Sequence, residues 1–528
     1  MSLPTVELRS SLTSGSTAGG RTSVAAPQIG HFTAALGKTE TFIKDWTPFT
    51  LVASYFIFST CLYMICSAKL IEVFWFIYLM TNFYIAGSTV VEAVMSMTPC
   101  RDARQAVLKV QQNNWIFPTP DSEMLVLDLI IVAYLPNEKD IIMDRILYAV
   151  TQIVYPVDKI RINIVYNTPR PIEPLETEMR DLCKQYSQLR IIKVEASTSK
   201  ADNLNYFLSL DTGADLIAIF DCDHYAHPYG PRWAVERFLT DSNIEIVQGR
   251  CVIFNTQASW LSAMIGVEFD KIYAVSHPGR AATWDFGLFT GSNGYWRAPL
   301  LRELRMDGDM LTEDIDSALR AFSRSCRIVH ELNAISYELA PTALLAFWNQ
   351  RLRWAQGWVQ ASMKHVKMTF TRAPGEGHRT KTQRFGLLSL LLIREVSYYL
   401  VTQYCCLVIS IVILHFPKSP SLLVRFLFFQ YPVAYWLFII RLVVPMDLTF
   451  LYLLFEDADF RGYSCSVICL IATLVITNRA KSEFISRSMI IWFSLIFPVY
   501  LVITATIGLY GHARQVTKYS SWNPTART

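Results

Sequence analysis

The stretch LIAIFDCD, residues 216–223, decides the fold: five apolar residues, Leu216 to Phe220, run straight into Asp221, Cys222 and Asp223. A short unbroken apolar run reads as a strand buried on both faces, the kind found in parallel sheets covered by helices on either side. Three more such runs precede it, at Leu125–Val132, Ile160–Val165 and Arg190–Val194, with helical segments between them at Ile141–Gln152 and Leu175–Gln188. The alternation predicts an α/β domain with a mostly parallel sheet between about Met124 and Leu345. Ligands of such sheets bind beyond the carboxyl ends of the strands, and Asp221 and Asp223 fall at one of those ends. Two carboxylates one residue apart can aim at a shared point and hold a hard divalent ion against a diphosphate. A solvated acidic turn is the plainer alternative, since Asp is common in turns. His224 and His227 stand close enough to add ligands, although local hydrogen bonding is the simpler use for both.

Outside this domain the chain is much more apolar. Over 528 residues, 52% are hydrophobic and 17% charged, which is too little charge for a wholly water-solvated enzyme. The net charge of +4 is too small to argue for a nucleic-acid partner, and none is expected; the Lys and Arg suit membrane edges and an anionic substrate. Residues 1–45, rich in Ser, Thr, Gly and Ala, read as a disordered cytosolic tail. Apolar runs at Pro48–Ala68 and Leu70–Met95 form an expected transmembrane hairpin over 46–98, with Lys38, Lys44, Arg101, Arg104 and Lys109 holding both ends in the cytosol. Residues 99–368 make the cytosolic domain with interface helices, and 369–385 a connector. Residues 386–511 hold about four further spans, near Glu395–Phe416, Tyr431–Phe455, Tyr463–Thr477 and Ile490–Tyr510. Leu422–Arg441 is interrupted by Arg425 and Arg441. Arg394, Glu395, Arg425, Arg441 and Asp447 lie in or near apolar runs, where a charge faces a polar cavity or a partner, or snorkels to the interface. The eleven cysteines form no Cys-x-x-Cys pair, so neither a zinc site nor a disulfide framework is expected.

Two further stretches carry chemistry. Thr312-Glu313-Asp314 reads as a capped helix start with an acidic first turn, which the helix dipole favours, and equally as a rigid place from which one carboxylate can act as a general base. Gln350-Arg351-Leu352-Arg353-Trp354 reads as a basic helix on a lipid surface, or as a guanidinium for a leaving pyrophosphate beside an indole on which a sugar ring can stack.

Taken in order, Asp221/Asp223, Glu313-Asp314 and Gln350/Arg353/Trp354 resemble the D-x-D, T/E-D and Q-x-x-R-W motifs of membrane-integrated family 2 glycosyltransferases, the group of cellulose, chitin, hyaluronan and curdlan synthases. Val132 to Glu138 resembles that family's opening V-x-x-Y-N-E segment with altered spacing, and Lys200 to Asn205 its K-A-G-x-L-N segment. Gln248-Gly249-Arg250 and Thr290 to Gly294 resemble its acceptor-side elements. The resemblance implies a GT-A-like cytosolic glycosyltransferase domain inserted between α-helical transmembrane segments. It implies Mg²⁺ or Mn²⁺ held by Asp223 with Asp221, and Lys200 and Arg353 neutralising the departing diphosphate. Asp314, beside Glu313, would deprotonate the acceptor. Asn167, Glu138 and Gln350 would meet the donor, and Trp354, Gln248, Ser292 and Asn293 the acceptor. Two departures stand out. Tyr166-Asn167-Thr168 occupies the place of the family's Asp-Asp-Gly, which weakens the expectation of uridine. With about 18 residues beyond the last expected span, no appended cyclic-dinucleotide domain is expected. Residues 521–527 resemble a W-G-T-type gating segment within the cytosolic tail 512–528, and a disordered basic tail fits them as well.

The implied protein is a processive inverting β-glycosyltransferase of the plasma membrane, with a eukaryotic or fungal cell-surface character. Its expected partners are a nucleotide-sugar donor, a growing polysaccharide and the bilayer, with no nucleic acid and with partner subunits unspecified. Two alternatives remain open: transfer of one hexose to a lipid, and a transporter carrying a degenerate transferase domain.

Overall fold

The computed structural model describes residues 28–372, 377–414 and 479–518. The chain divides into two units, residues 1–47 and 48–528. In the first, residues 28–47 are helical. They form the start of α1 (Gln28–Ile65), which Pro48 carries into the second unit. There α2 (Ala68–Gln112) leads to an eight-stranded sheet: β1 Leu127–Tyr134, β2 Ile160–Asn167, β3 Leu189–Lys193, β4 Leu216–Asp221, β5 His224–Ala226, β6 Ile244–Ile253, β7 Gly294–Arg297 and β8 Arg327–Glu338. The interleaved helices are α3 Leu135–Glu138, α4 Ile142–Gln152, α5 Leu175–Gln185, α6 Lys200–Leu208, α7 Gly230–Thr240, α8 Trp260–Asp270, α9 His277–Trp284, α10 Ala298–Leu304 and α11 Glu313–Ser323. A π-helical turn, Lys271–Ser276, joins α8 to α9. Then come α12 Leu344–His365, α13 Lys381–Leu388, α14 Arg394–Leu414 and α15 Arg487–Val516.

The sheet order is β3-β2-β1-β4-β7-β6-β8-β5. The first four strands are parallel throughout, as the apolar runs predict. β7 then runs antiparallel to both neighbours and β5 antiparallel to β8, so only the half carrying β1 to β4 is purely parallel. Period-two alternation explains why β4 is apolar from Leu216 to Phe220. Leu216, Ala218 and Phe220 enter the core on one face, and Ile217 and Ile219 the core on the other. β1 does the same, with Leu127, Leu129 and Ile131 against Ile130 and Val132. The apolar pattern of β4 stops at Asp221 and that of β2 at Asn167, both at the same edge of the sheet.

The expected spans Pro48–Ala68, Leu70–Met95, Glu395–Phe416 and Ile490–Tyr510 fall on α1, α2, α14 and α15. Among the described residues two stretches are long and apolar enough to cross a membrane, Asp45–Ile65 and Lys381–Leu407. The other expected spans, the charges Arg425, Arg441 and Asp447, and the segment 521–527 lie outside the described residues. α13 begins inside the expected connector because Thr380 and Gln383 close a capping box there. α15 packs closely on α12 and α14: a Cβ at Gly511 would come 3.0 Å from the Gln356 amide nitrogen, and one at Gly508 2.5 Å from the Tyr398 ring. Glu395 on α14 reaches His512 on α15 at 2.7 Å, so the charge noted in the apolar run has a partner.

Candidate active site

A cavity of about 750 Å³ opens at the carboxyl edge of the parallel strands. Its walls include Tyr134 from β1, Asn167 from β2, Asp221 from β4 and Lys200 from the start of α6. Ser199 caps α6, its Oγ accepting from the Asp202 amide at 3.1 Å, and so fixes the direction in which Lys200 leaves the helix. The Lys200 ammonium stands 2.6 Å from Asp221 Oδ1 and 3.8 Å from Glu313 Oε1, and donates to the Gly291 carbonyl at 2.8 Å. Burial opposes its charge, but the Asp221 and Glu313 carboxylates hold its pKa above the usual lysine range. The cation therefore ties the first acidic motif to the second.

Glu313 and Asp314 open α11, whose buried face, Ile315, Ala318, Leu319 and Phe322, anchors it at helical spacing. Thr312 occupies the N-cap position, but its hydroxyl makes no capping bond, contrary to the sequence expectation. Its side chain is turned instead onto Gly357 of α12, where an added Cβ would meet Thr312 Cγ2 at 2.4 Å. That close approach sets α11 against α12 and brings Asp314 and Arg353 into one cavity. Gly291 has φ +101, and a Cβ there would lie 2.7 Å from Asp314 Oδ2, so glycine is required beside the carboxylate. Partial burial in the cavity wall disfavours the charged form of Asp314, and its neighbour Glu313 adds negative charge. Both raise its pKa, to about 7, against the pull of Lys200 and Arg353. A carboxyl in that range suits proton abstraction near neutral pH.

The remaining expected site residues divide into two groups. Gln350, Arg353, Trp354, Ser292 and Glu138 all line the cavity. Gln350 is buried with its Oε1 lacking a hydrogen-bond partner. Ser292 Oγ accepts from the Asp221 amide at 3.1 Å, and Glu138 Oε2 accepts from the Tyr134 amide at 2.8 Å. Asn167, which stands in the place of the family's Asp-Asp-Gly, accepts from Asn203 Nδ2 at 2.8 Å and donates to the Ser197 carbonyl at 3.0 Å. Gln248 and Asn293, by contrast, do not line the cavity. Gln248 Nε2 donates to the Ser292 carbonyl at 2.9 Å, its Oε1 accepts from the Thr290 amide at 2.9 Å, and Asn293 Nδ2 donates to the Ala334 carbonyl at 2.8 Å. Both amides close the β6–β7–β8 junction, where backbone groups would otherwise be left unpaired.

Asp223 is buried. Ligand atoms of Asp221, Asp223 and His224 lie within 4.8 Å of one another, and carboxylate oxygens with an imidazole suit a divalent cation. His224 also has local partners, Ser336 Oγ at 3.0 Å and Glu338 at 3.4 Å. His227 accepts from the Tyr229 amide at 3.2 Å and is not part of the group. Residues missed by sequence reasoning come mainly from beyond the sheet. Glu268, Tyr273 and His277 enter from α8, the π turn and α9, and Trp358, Tyr398 and Tyr500 from α12, α14 and α15. Arg394 is the one such residue with an advance signal, a charge in an apolar run; its guanidinium lies 3.7 Å from the Trp358 ring centroid.

Lys200 thus joins two acidic motifs at the carboxyl edge of the parallel strands, beside a carboxyl of raised pKa. Residues 216–456 match the family described as glycosyl transferase family group 2. The chain is 26% identical over 217 residues to a probable glucomannan 4-beta-mannosyltransferase of Oryza sativa subsp. japonica, covering 40% of this chain and 37% of that one. It is 26% identical over 235 residues to the poly-beta-1,6-N-acetyl-D-glucosamine synthase of Staphylococcus aureus (strain COL), covering 42% and 52%. It is also 21% identical over 238 residues to the probable glycosyltransferase YdaM of Bacillus subtilis (strain 168), covering 44% and 56%, so the chain spans about half or less of these relatives. A mannosyltransferase from Pyrobaculum calidifontis, solved with GDP-Man and Mn2+, superposes with TM-score 0.45 at 16% identity, covering 75% of this chain and all of that one.

Proposed function

We propose that the protein is a processive, inverting β-glycosyltransferase that takes a sugar from a nucleotide donor, a UDP-sugar, and adds it to a growing linear polysaccharide. The polymer would leave between the membrane helices, with the catalytic domain in the cytosol and the protein in the plasma membrane. One observation carries this reading: a single cavity holds Lys200, Asp221, Asp314, Arg353 and Trp354 and continues to Arg394 and Tyr398 of α14 and Thr504 and Ile507 of α15. A donor site that ended at the sheet would need no walls from those helices.

In this reading the donor lies over the strand ends, its diphosphate beside Lys200 and Arg353 and its nucleoside against the Asn167–Asn203 pair. Asp314 takes the proton from the acceptor hydroxyl, whose oxygen bonds to the anomeric carbon as the bond to the diphosphate breaks. One displacement inverts the configuration, and the nucleoside diphosphate departs with its charge matched by the two cations. A divalent ion held by Asp223 with Asp221 would supply further neutralisation of the diphosphate. Trp354 offers its indole face to the acceptor ring.

The test is purified protein in nanodiscs with Mg²⁺ or Mn²⁺ and a panel of UDP- and GDP-sugars, with nucleotide release measured and the product sized. Release with one UDP-sugar and a high-molecular-weight product is expected. A short lipid-linked product would replace polymerisation with lipid glycosylation, and no release with any donor would count against transfer itself.

A further inference from the structure

Arg351 is a costly residue for its place. It sits in the wall of the cavity, 8% exposed, and a buried guanidinium is stable only when its charge is met. Glu268 of α8 meets it, with Nη2 to Oε2 at 2.5 Å. The rest of its environment is aromatic. The guanidinium carbon lies 4.4 Å from the Trp354 ring centroid, 5.2 Å from Phe347 and 5.9 Å from Phe269. Phe347, Arg351 and Trp354 follow one another at i, i+4 and i+7, so they form one stripe along α12. The stacking is thus built into the helix, and Glu268 fixes it from a second element.

The consequence falls on Trp354. A planar cation over the indole, with the Phe269 ring 6.5 Å away, holds the ring against rotation while Trp354 still lines the cavity. We propose that Arg351, held by Glu268, is a positioning residue for the acceptor: it presents the Trp354 ring to the acceptor sugar. The role is separate from that of Arg353, two residues on, which belongs with the diphosphate. It rests on the reading of Trp354 as the acceptor platform given above.

The test uses the full-length protein in nanodiscs and three variants, Arg351→Met, Arg351→Lys and Glu268→Gln. Transfer to soluble oligosaccharides of glucose, N-acetylglucosamine or mannose gives the acceptor KM, and calorimetry gives UDP affinity. Arg351→Met is expected to raise the acceptor KM about tenfold, the size of one desolvated cation–π contact, while UDP affinity stays within about twofold. Arg351→Lys keeps the charge but lacks the flat stacking surface, so it should not restore the acceptor KM. Glu268→Gln should move it the same way by a smaller factor. A merely structural clamp between α8 and α12 would shift acceptor KM and UDP affinity together, and that result overturns the proposal. So does an unchanged acceptor KM. Wild-type protein that binds UDP but transfers to none of these acceptors and makes no polymer overturns the transferase reading as well.

Discussion

Replacing Asp314 with Asn should make the protein more stable and nearly inactive at once. The side chain sits in a cavity where burial and the Glu313 charge lift its pKa from 3.8 to about 7. Below pH 4 the carboxyl is protonated both folded and unfolded, and the shift has no effect on stability. As pH rises from about 4 to about 7 the unfolded chain loses the proton while the folded one keeps it, so stability falls; above 7 the full penalty is present. Because the side chain is partly exposed, solvent screens the penalty to about 1–2 kcal/mol. Asn carries no charge to desolvate. At pH 8, without donor, Asp314→Asn should therefore melt about 2–4 °C above wild type, and at pH 4 the two should coincide. The same substitution removes the base, so kcat should fall by about 10²–10⁴, and wild-type kcat/KM should rise with pH through neutrality. Differential scanning fluorimetry in detergent at both pH values, with nucleotide-release kinetics, is the assay. A variant that melts below wild type at pH 8, or that retains wild-type kcat, would refute the assignment of Asp314 as a desolvated base.

Arg353→Ala should weaken UDP binding by about 10–100-fold, the range of a lost charge-assisted hydrogen bond, as measured by calorimetry. Asp223→Asn should lower the affinity for Mn²⁺ in the presence of UDP by at least about tenfold, read by electron paramagnetic resonance of the free ion. Gly357→Ala would place a Cβ 2.4 Å from Thr312 Cγ2. It should cost about 1–3 kcal/mol by overpacking and, by separating α11 from α12, lower kcat as well as the melting temperature.

Much of the catalytic domain is legible in the amino-acid order because burial on both faces leaves an unbroken apolar signature. Leu216–Phe220 is such a run, and the strand built on it extends only one residue further, to Asp221. The first predicted strand is displaced by two residues, to Leu127–Tyr134, since Val126 spends its amide on the Asp215 carboxylate before pairing begins. The acidic and cationic motifs converge because each stands at a strand or helix end on one edge of the sheet. Gln248 and Asn293 are the instructive failures. They belong to segments of the right kind, but which way a side chain turns at β6 and β7 depends on backbone groups 40 or more residues away, such as the Ala334 carbonyl. Thr312 is similar: its hydroxyl was free to cap α11, but the contact with Gly357 turned it elsewhere. The walls from α8, α14 and α15 carry no motif, because their contribution to the cavity exists only after those helices pack on the domain.

The cavity runs from the strand ends to α14 and α15, and an electron cryo-microscopy structure of the protein trapped with UDP, Mn²⁺ and its own product would show whether both ligands follow it. The diphosphate should lie beside Lys200 and Arg353, and the saccharide should cross Trp354 and run between Tyr398 of α14 and Thr504 of α15. UDP bound away from the strand ends, or a saccharide leaving the cavity on the side opposite α14 and α15, would contradict that path.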